Sequence, residues 1–293
     1  MTQINEEDFL RRIQAGDKIE AADAMPAEYR RTLLELLDGQ ADSELSGAYN
    51  ATEWIAKAPS IQEKVIVAQI IKDEVRHAAV FYQCLEELGV DVENRVKELD
   101  QAYDSIHKGQ AISRKGNGRQ INCLNFRIKT WAEFVVVNFC LDRYSAYPLK
   151  EFETSSYNPF AKACESVLKE ERVHIRHGDL WVERLAKDPN TRQEVQQALD
   201  KWFPKTMNEF GPVDSPKNKI YTKWRLMVRG YNELREDFHK EIKERAVHAG
   251  LRMPVWTPRG SKKDNAQNSR LWPKIQKKFS IAWLVNKNSS RDV

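Results

Sequence analysis

The sequence predicts an all-α protein: a bundle of four long helices followed by additional C-terminal helices. Three observations carry this expectation. Twelve glycines and eleven prolines in 293 residues make a turn-poor chain, since the two together average about 12% of residues. Four long segments keep their apolar residues on a three-to-four-residue spacing, the period of one helix face. No segment shows the apolar–polar alternation of a half-buried strand.

Residues 1–25 read as a short amphipathic lead-in. The first long helix starts at Pro26 and runs to about Tyr49. The second opens at Pro59-Ser60, where Ser60 and Glu63 have the spacing of a capping box, and Gly89 stops it. Residues 104–121, with Gly109, Gly116 and Gly118, read as a long loop. The third helix spans about Asn125–Ala146, ahead of Pro148. Asn158-Pro159 pairs a cap with a proline in the first turn, and the fourth helix runs from there to about Ala186. Two further helices follow, at about 190–209 and 216–248, ended by Gly211-Pro212 and Gly250.

Composition bounds the function. The net charge of +4 is unevenly placed: residues 255–293 hold nine Lys/Arg and two Asp, or +7, which leaves −3 on residues 1–254. This predicts a domain over 1–254 and a basic extension over 255–293, and gives the body no nucleic-acid-binding character. The most apolar run, Phe134–Leu141, is far short of the ~20 residues a membrane span needs. Met1–Asp8 is polar and acidic, unlike a signal peptide. The four cysteines form no CxxC pair. Together these point to a reducing cytoplasm.

The chemistry is read from two E-x-x-H words. Glu74 and His77 lie on the second helix, and Glu171 and His174 on the fourth. A spacing of three puts each pair on one face, one turn apart. Both pairs sit inside apolar stripes: Val67, Ile70, Ala78 and Phe81 around the first, Phe160, Cys164, Val167 and Ile175 around the second. A third match, Glu236 and His239, is surrounded by charges and reads as a solvated face. The other two long helices each offer one carboxylate on an apolar stripe: Glu44 beside Leu37, Ala41 and Ala48, and Glu133 beside Phe126, Val137 and Cys140.

One Glu from each of two helices with Glu-x-x-His from the other two is the ligand set of ferritin-like di-iron and di-manganese carboxylate bundles. Four buried carboxylates are costly unless neutralised, and two divalent cations would neutralise them. The expected ligands are therefore Glu44, Glu74, His77, Glu133, Glu171 and His174, with Glu74 and Glu171 bridging and Glu44 and Glu133 terminal. Val137, Phe81, Val167 and Phe134 are the expected apolar surroundings. Glu170 and Asp73 sit about 100° around their helices from the ligands, which reads as an exposed placement. His177, one turn past His174, reads either as a partner behind the ligands or as a surface residue.

Longer words carry a resemblance. Met25–Leu33, Ser43–Gly47, Trp54–Pro59, Asp73-Glu74 with His77, Thr130–Glu133, Lys169–Glu171 with His174, Phe210–Pro212 and Asn232–Arg235 are together similar to the phenylacetic acid catabolic protein family. This family of ferritin-like di-iron oxygenases includes the catalytic subunits of phenylacetyl-CoA 1,2-epoxidases. The similarity covers about residues 25–255 and leaves the tail out. It implies a multicomponent monooxygenase with two iron ions (Fe/Fe, with Mn/Fe as an option), O2, and electrons from an external flavin and iron–sulfur reductase. It also implies a related scaffold subunit in a hetero- or homo-oligomer, and an acyl-CoA or aromatic substrate. The competing readings are an iron-handling ferroxidase of the ferritin type and a non-catalytic scaffold subunit. The latter loses ligands, whereas this chain keeps all six.

Overall fold

The computed structural model describes residues 5–107 and 121–258. Helix α1 (Glu6–Ala15) is capped by the Asn5 side chain, which accepts from the Glu7 amide at 3.0 Å. Next come α2 (Ala27–Thr52), the single turn α3 (Trp54–Lys57), α4 (Ile61–Glu87) and α5 (Val92–His107). A 3-10 turn, Asn122–Asn125, leads to α6 (Trp131–Val137), a π-turn (Asn138–Asp142) and α7 (Arg143–Phe152), which form one continuous helical rod. Then follow α8 (Asn158–Lys187), α9 (Arg192–Glu209), α10 (Pro216–Lys223) and α11 (Tyr231–His248). Among the described residues the β-structure is a single isolated bridge, Ile19 to Tyr157. No described helix is long and apolar enough to cross a membrane.

The four long helices form the predicted bundle. α2 lies along α4, the α6–π–α7 rod lies along α8, and α4 faces α8. α9 and α11 pack on the outside of the rod, which supplies the additional C-terminal helices. Around a buried polar centre the core is apolar, with Leu33, Leu37, Ala41, Val67, Phe81, Val135, Phe139, Phe160 and Val167 fully or nearly fully buried. Gly89 and Gly250 end α4 and α11 with φ of +78° and +77°, a conformation open to glycine at little cost.

Several boundaries differ from the sequence reading. The predicted loop at 104–121 begins as the last turn of α5, and residues 108–120 lie outside the described residues, as does most of the basic tail. The third helix starts later, at Trp131, because Thr130 caps it through the Glu133 amide at 3.2 Å. It also continues through Pro148 to Phe152. The predicted helix over 216–248 is two helices. Its break holds Arg225 at φ +49° and buries Trp224, Leu226 and Met227, so core burial wins over helix continuity there. After α11 the chain turns back on α9, where the Trp256 indole donates to Asn208 at 3.3 Å.

Candidate metal centre

The two E-x-x-H pairs meet at the centre of the bundle. Ligand atoms of Glu44, Glu74, His77 and Glu171 all lie within 4.8 Å of one another. His174 joins them: its Nδ1 is 3.3 Å from Glu74 Oε1 and 3.6 Å from Glu171 Oε1. The His77 Nδ1 is 3.3 Å from Glu171 Oε1 and 3.6 Å from Glu44 Oε2. Glu171 Oε1 thus sits between the two imidazoles. Both imidazoles are buried, at 1% and 0% exposure. Neither Nδ1 has a hydrogen-bond partner, an expensive arrangement for a buried polar atom. A cation among the carboxylates would take both lone pairs, so the donor set fits a hard or borderline divalent metal.

The outward nitrogens show a cross-over between helices. The His77 Nε2 on α4 meets Glu170 Oε2 on α8 at 2.9 Å, and the His174 Nε2 on α8 faces Asp73 Oδ2 on α4 at 3.5 Å. Each acid directly precedes the Glu of its own E-x-x-H pair; Glu170 hydrogen-bonds the His77 imidazole, whereas the His174 Nε2 lies near Asp73 without a hydrogen-bond partner. Asp73 is buried and Glu170 is 29% exposed, so neither has the exposed placement expected of it. Arg76 lies over both carboxylates, 3.1 Å from Asp73 and in contact with Glu170. Carboxylates behind metal-ligating imidazoles fix their tautomer and raise their basicity.

Charge is concentrated here. Burial pushes the Glu74 carboxyl well above its ordinary range, and the neighbouring Glu44 and Glu171 add to this. Burial alone would lower the His77 imidazole, but the carboxylates of Glu171 and Glu44 push it up to about 11. His174 is likewise raised, to about 10, by Glu74 and Glu171. Without a metal, protons on the imidazoles would balance the acids. Space is also reserved: a Cβ on Gly47 would stand 2.7 Å from Glu74 Oε2.

The structure does not bring Glu133 to this cluster. Glu133 is in the first turn of α6, where its carboxylate takes the Lys201 ammonium at 2.6 Å and the Lys129 amide at 2.9 Å. The third helix instead offers Asp142, nine residues and roughly 13 Å further along the rod. Burial pushes the Asp142 carboxyl up to about 7, and the charge of Glu171 raises it further. Asn138 donates its amide to Asp142 Oδ2 at 2.8 Å. Asp142 closes the π-turn, whose extra residue shifts it out of the 3.6-residue stripe from Thr130 to Val137. The sequence signal for it is an acid after the otherwise uncharged run Phe134–Leu141. Glu236 and His239 are exposed on α11, as their charged surroundings implied.

A cavity of about 380 Å³ opens beside the cluster. Glu44, Glu74, Asp142 and Glu171 form its floor. Gly39, Ser43, Gly47 and Ala51, spaced every four residues, leave room along α2. Phe134, Val137, Leu141 and Pro148 line the rod's face, and Phe210, Tyr221 and Tyr231 the far wall. Of the expected apolar surroundings, Phe134 and Val137 line this cavity, whereas Phe81 and Val167 are core residues elsewhere. The segment 121–128 closes one side. The Ile121 amide donates to Ser43 at 3.0 Å, the Asn50 amide to the Leu124 carbonyl at 3.0 Å, and the Asn122 and Cys123 amides to Glu209, each at 3.0 Å.

Comparison with known proteins places this architecture. The chain is 29% identical over 261 residues to the A subunit of the 1,2-phenylacetyl-CoA epoxidase of Escherichia coli K12, covering 87% of this chain and 78% of that protein. It is 24% identical over 210 residues to component B of the benzoyl-CoA oxygenase of Aromatoleum evansii, covering 70% of this chain but 41% of the longer relative. A solved Synechococcus structure, described as protein 19 with aldehyde deformylating oxidase activity, superposes with a TM-score of 0.53 at 14% identity. That match covers 78% of this chain and 93% of that one, and it establishes the ferritin-like four-helix bundle. The family model for phenylacetic acid catabolic protein matches residues 1–271; with two oxygenase components among its relatives, this chain belongs to the phenylacetic acid catabolic protein family.

Proposed function

We propose that the protein is the O2-activating component of a multicomponent di-iron monooxygenase that epoxidises or hydroxylates an aromatic ring, with an aryl-CoA thioester as the substrate class. The observation that carries this reading is the buried Glu–His cluster forming the floor of a largely apolar cavity. Glu44, Glu74, His77, Asp142, Glu171 and His174 would hold the metals, with Asp142 in the place expected of Glu133. Two irons bound there would supply the two-electron reduction and cleavage of O2, with electrons from an external flavin and iron–sulfur reductase.

The chain's own residues do the rest. Glu170 holds the His77 imidazole with its Nδ1 turned inward, and Asp73 stands behind that of His174. Gly47 leaves Glu74 free to change its position, which a carboxylate ligand needs as metal charge changes. Phe134, Val137, Leu141 and Pro148 offer an apolar wall to an aromatic ring and exclude bulk water from the reacting atoms. The cavity volume lies in the range of small-molecule sites. A related scaffold subunit is the partner this reading implies, supported by two relatives that are each named as one part of a multicomponent oxygenase.

The test is turnover with phenylacetyl-CoA, benzoyl-CoA and free aromatic acids, each with and without the reductase. The expected result is O2 consumption that needs both the reductase and a CoA thioester, with one oxygen atom in the product. O2 consumption by Fe(II) alone, with ferric mineral as the product, would replace this reading with the iron-handling one.

A further inference from the structure

The cluster accounts for two of the three histidines near the bundle centre. His177 remains. It is 6% exposed and lies one turn beyond His174, with both ring nitrogens engaged by Asn138 and Glu63. Its Nδ1 is 3.3 Å from Asn138 Oδ1 and its Nε2 is 2.8 Å from Glu63 Oε2. Asn138 is 4% exposed and donates its amide to Asp142 Oδ2 at 2.8 Å. A chain of side chains, buried at its middle, therefore runs from Glu63, in the first turn of α4, through His177 of α8 and Asn138 of the π-turn, to Asp142.

The chain has a fixed polarity. A carboxylate that binds a metal only accepts hydrogen bonds. Asn138 must then turn its NH2 to Asp142 and its carbonyl to His177, so His177 must carry a proton on Nδ1, and a second proton lies between its Nε2 and Glu63 Oε2. Packing locks the same contact. Gly178, the residue after His177, sits so close to the π-turn that a Cβ there would be 2.4 Å from the Phe139 nitrogen. The rings of Trp131 and Phe134 hold the imidazole from the side, with centroids at 6.2 and 6.4 Å.

We propose that His177 is a positioning residue for the metal centre, acting through Asn138 to set the Asp142 carboxylate. The inference rests on the metal reading given above and on Asp142 as the rod's ligand. The π-turn makes such support necessary. It delivers Asp142 to the centre on an irregular stretch of backbone, without the regular register that places Glu74 and Glu171. Hydrogen bonds that orient ligating groups commonly contribute 10–100-fold in metal affinity.

The polarity makes the proposal testable with two near-isosteric variants. An asparagine amide can mimic the Nδ1–H of histidine, and a glutamine amide its Nε2–H. His177→Asn therefore retains the donor to Asn138 and gives up Glu63, whereas His177→Gln keeps Glu63 and loses Asn138. Co(II) titration of the metal-free full-length chain, followed by the visible absorption of the bound ion, reads both affinity and ligand geometry. The expected result is a loss of about 10–100-fold in Co(II) affinity with an altered band for His177→Gln, and wild-type affinity and band for His177→Asn. Equal affinity in both variants and wild type overturns the proposal. So does equal loss in both with unchanged melting temperatures, which would make the Glu63 pair the functional one. A wild-type chain that binds no Co(II) at all defeats the metal reading itself rather than the role of His177 within it.

Discussion

The α4–α8 pair and the α6–π–α7 rod build the same centre by different means. α4 and α8 are unbroken helices of 27 and 30 residues. Their Glu–His pairs follow the i, i+3 rule, and each supplies the acid behind the other's imidazole. The rod presents its carboxylate only after a π-turn, from a position that regular helical counting assigns to another face. A π-turn is rare, and it is frequently found at functional sites. The contrast teaches that a ligand on a regular helix is encoded by spacing, whereas a ligand on an interrupted helix is encoded by what interrupts it.

The largest effect expected from breaking this comparison is on the regular side. Glu74→Ala with Glu171→Ala should abolish specific metal binding, as measured by metal content after dialysis, because Glu171 lies between both imidazoles and Glu74 beside His174. Two metals retained at full occupancy would remove the assignment. Next comes the contact that holds the two regions together. Gly178→Ala forces a Cβ to 2.4 Å from the Phe139 nitrogen and 2.8 Å from the Asn138 carbonyl carbon. Backbone cannot yield as a side chain can, so a destabilisation of about 3 kcal/mol is expected in denaturant unfolding. Gly47→Ala should differ in kind. Its Cβ meets a carboxylate oxygen at 2.7 Å, so metal affinity should fall while the melting temperature changes little.

The fold was legible because the four long helices are encoded redundantly. Leu33, Leu37 and Ala41, or Phe160, Cys164 and Val167, keep their stripes over many turns, so a boundary error of a few residues does no harm. The meeting of Glu44, Glu74, His77, Glu171 and His174 was legible for the same reason. The approach of Asp142 was not, because the π-turn puts it out of step with Val137, and Glu133 holds the stripe position that counting favours. Glu133 is there for a local purpose, at the start of α6 and paired to Lys201. Asp73 and Glu170 depart from the exposed placement that helical angle alone predicts. At 100° from the ligand face they point at the neighbouring helix, where the other imidazole lies, and not at solvent.

A smaller, graded effect follows from charge. The acids around His77 and His174 hold these imidazoles protonated up to about 11 and 10, and a metal needs both neutral. Metal uptake should therefore expel protons, and apparent affinity should rise with pH across the neutral range. Calorimetric titration in buffers of different ionisation enthalpy checks this; uptake without proton release would contradict the charge balance described for the centre. Glu236→Gln on α11 should leave metal binding unchanged, since its E-x-x-H word faces solvent.

We propose that the rod contributes Asp142, and not Glu133, to a two-metal centre. Anaerobic Fe(II) titration of the metal-free chain, comparing wild type, Glu133→Gln and Asp142→Ala, tests it most directly. Two equivalents are expected to bind to the wild type and to Glu133→Gln, and no more than one tight equivalent to Asp142→Ala. Two tight equivalents in Asp142→Ala together with loss in Glu133→Gln would contradict it.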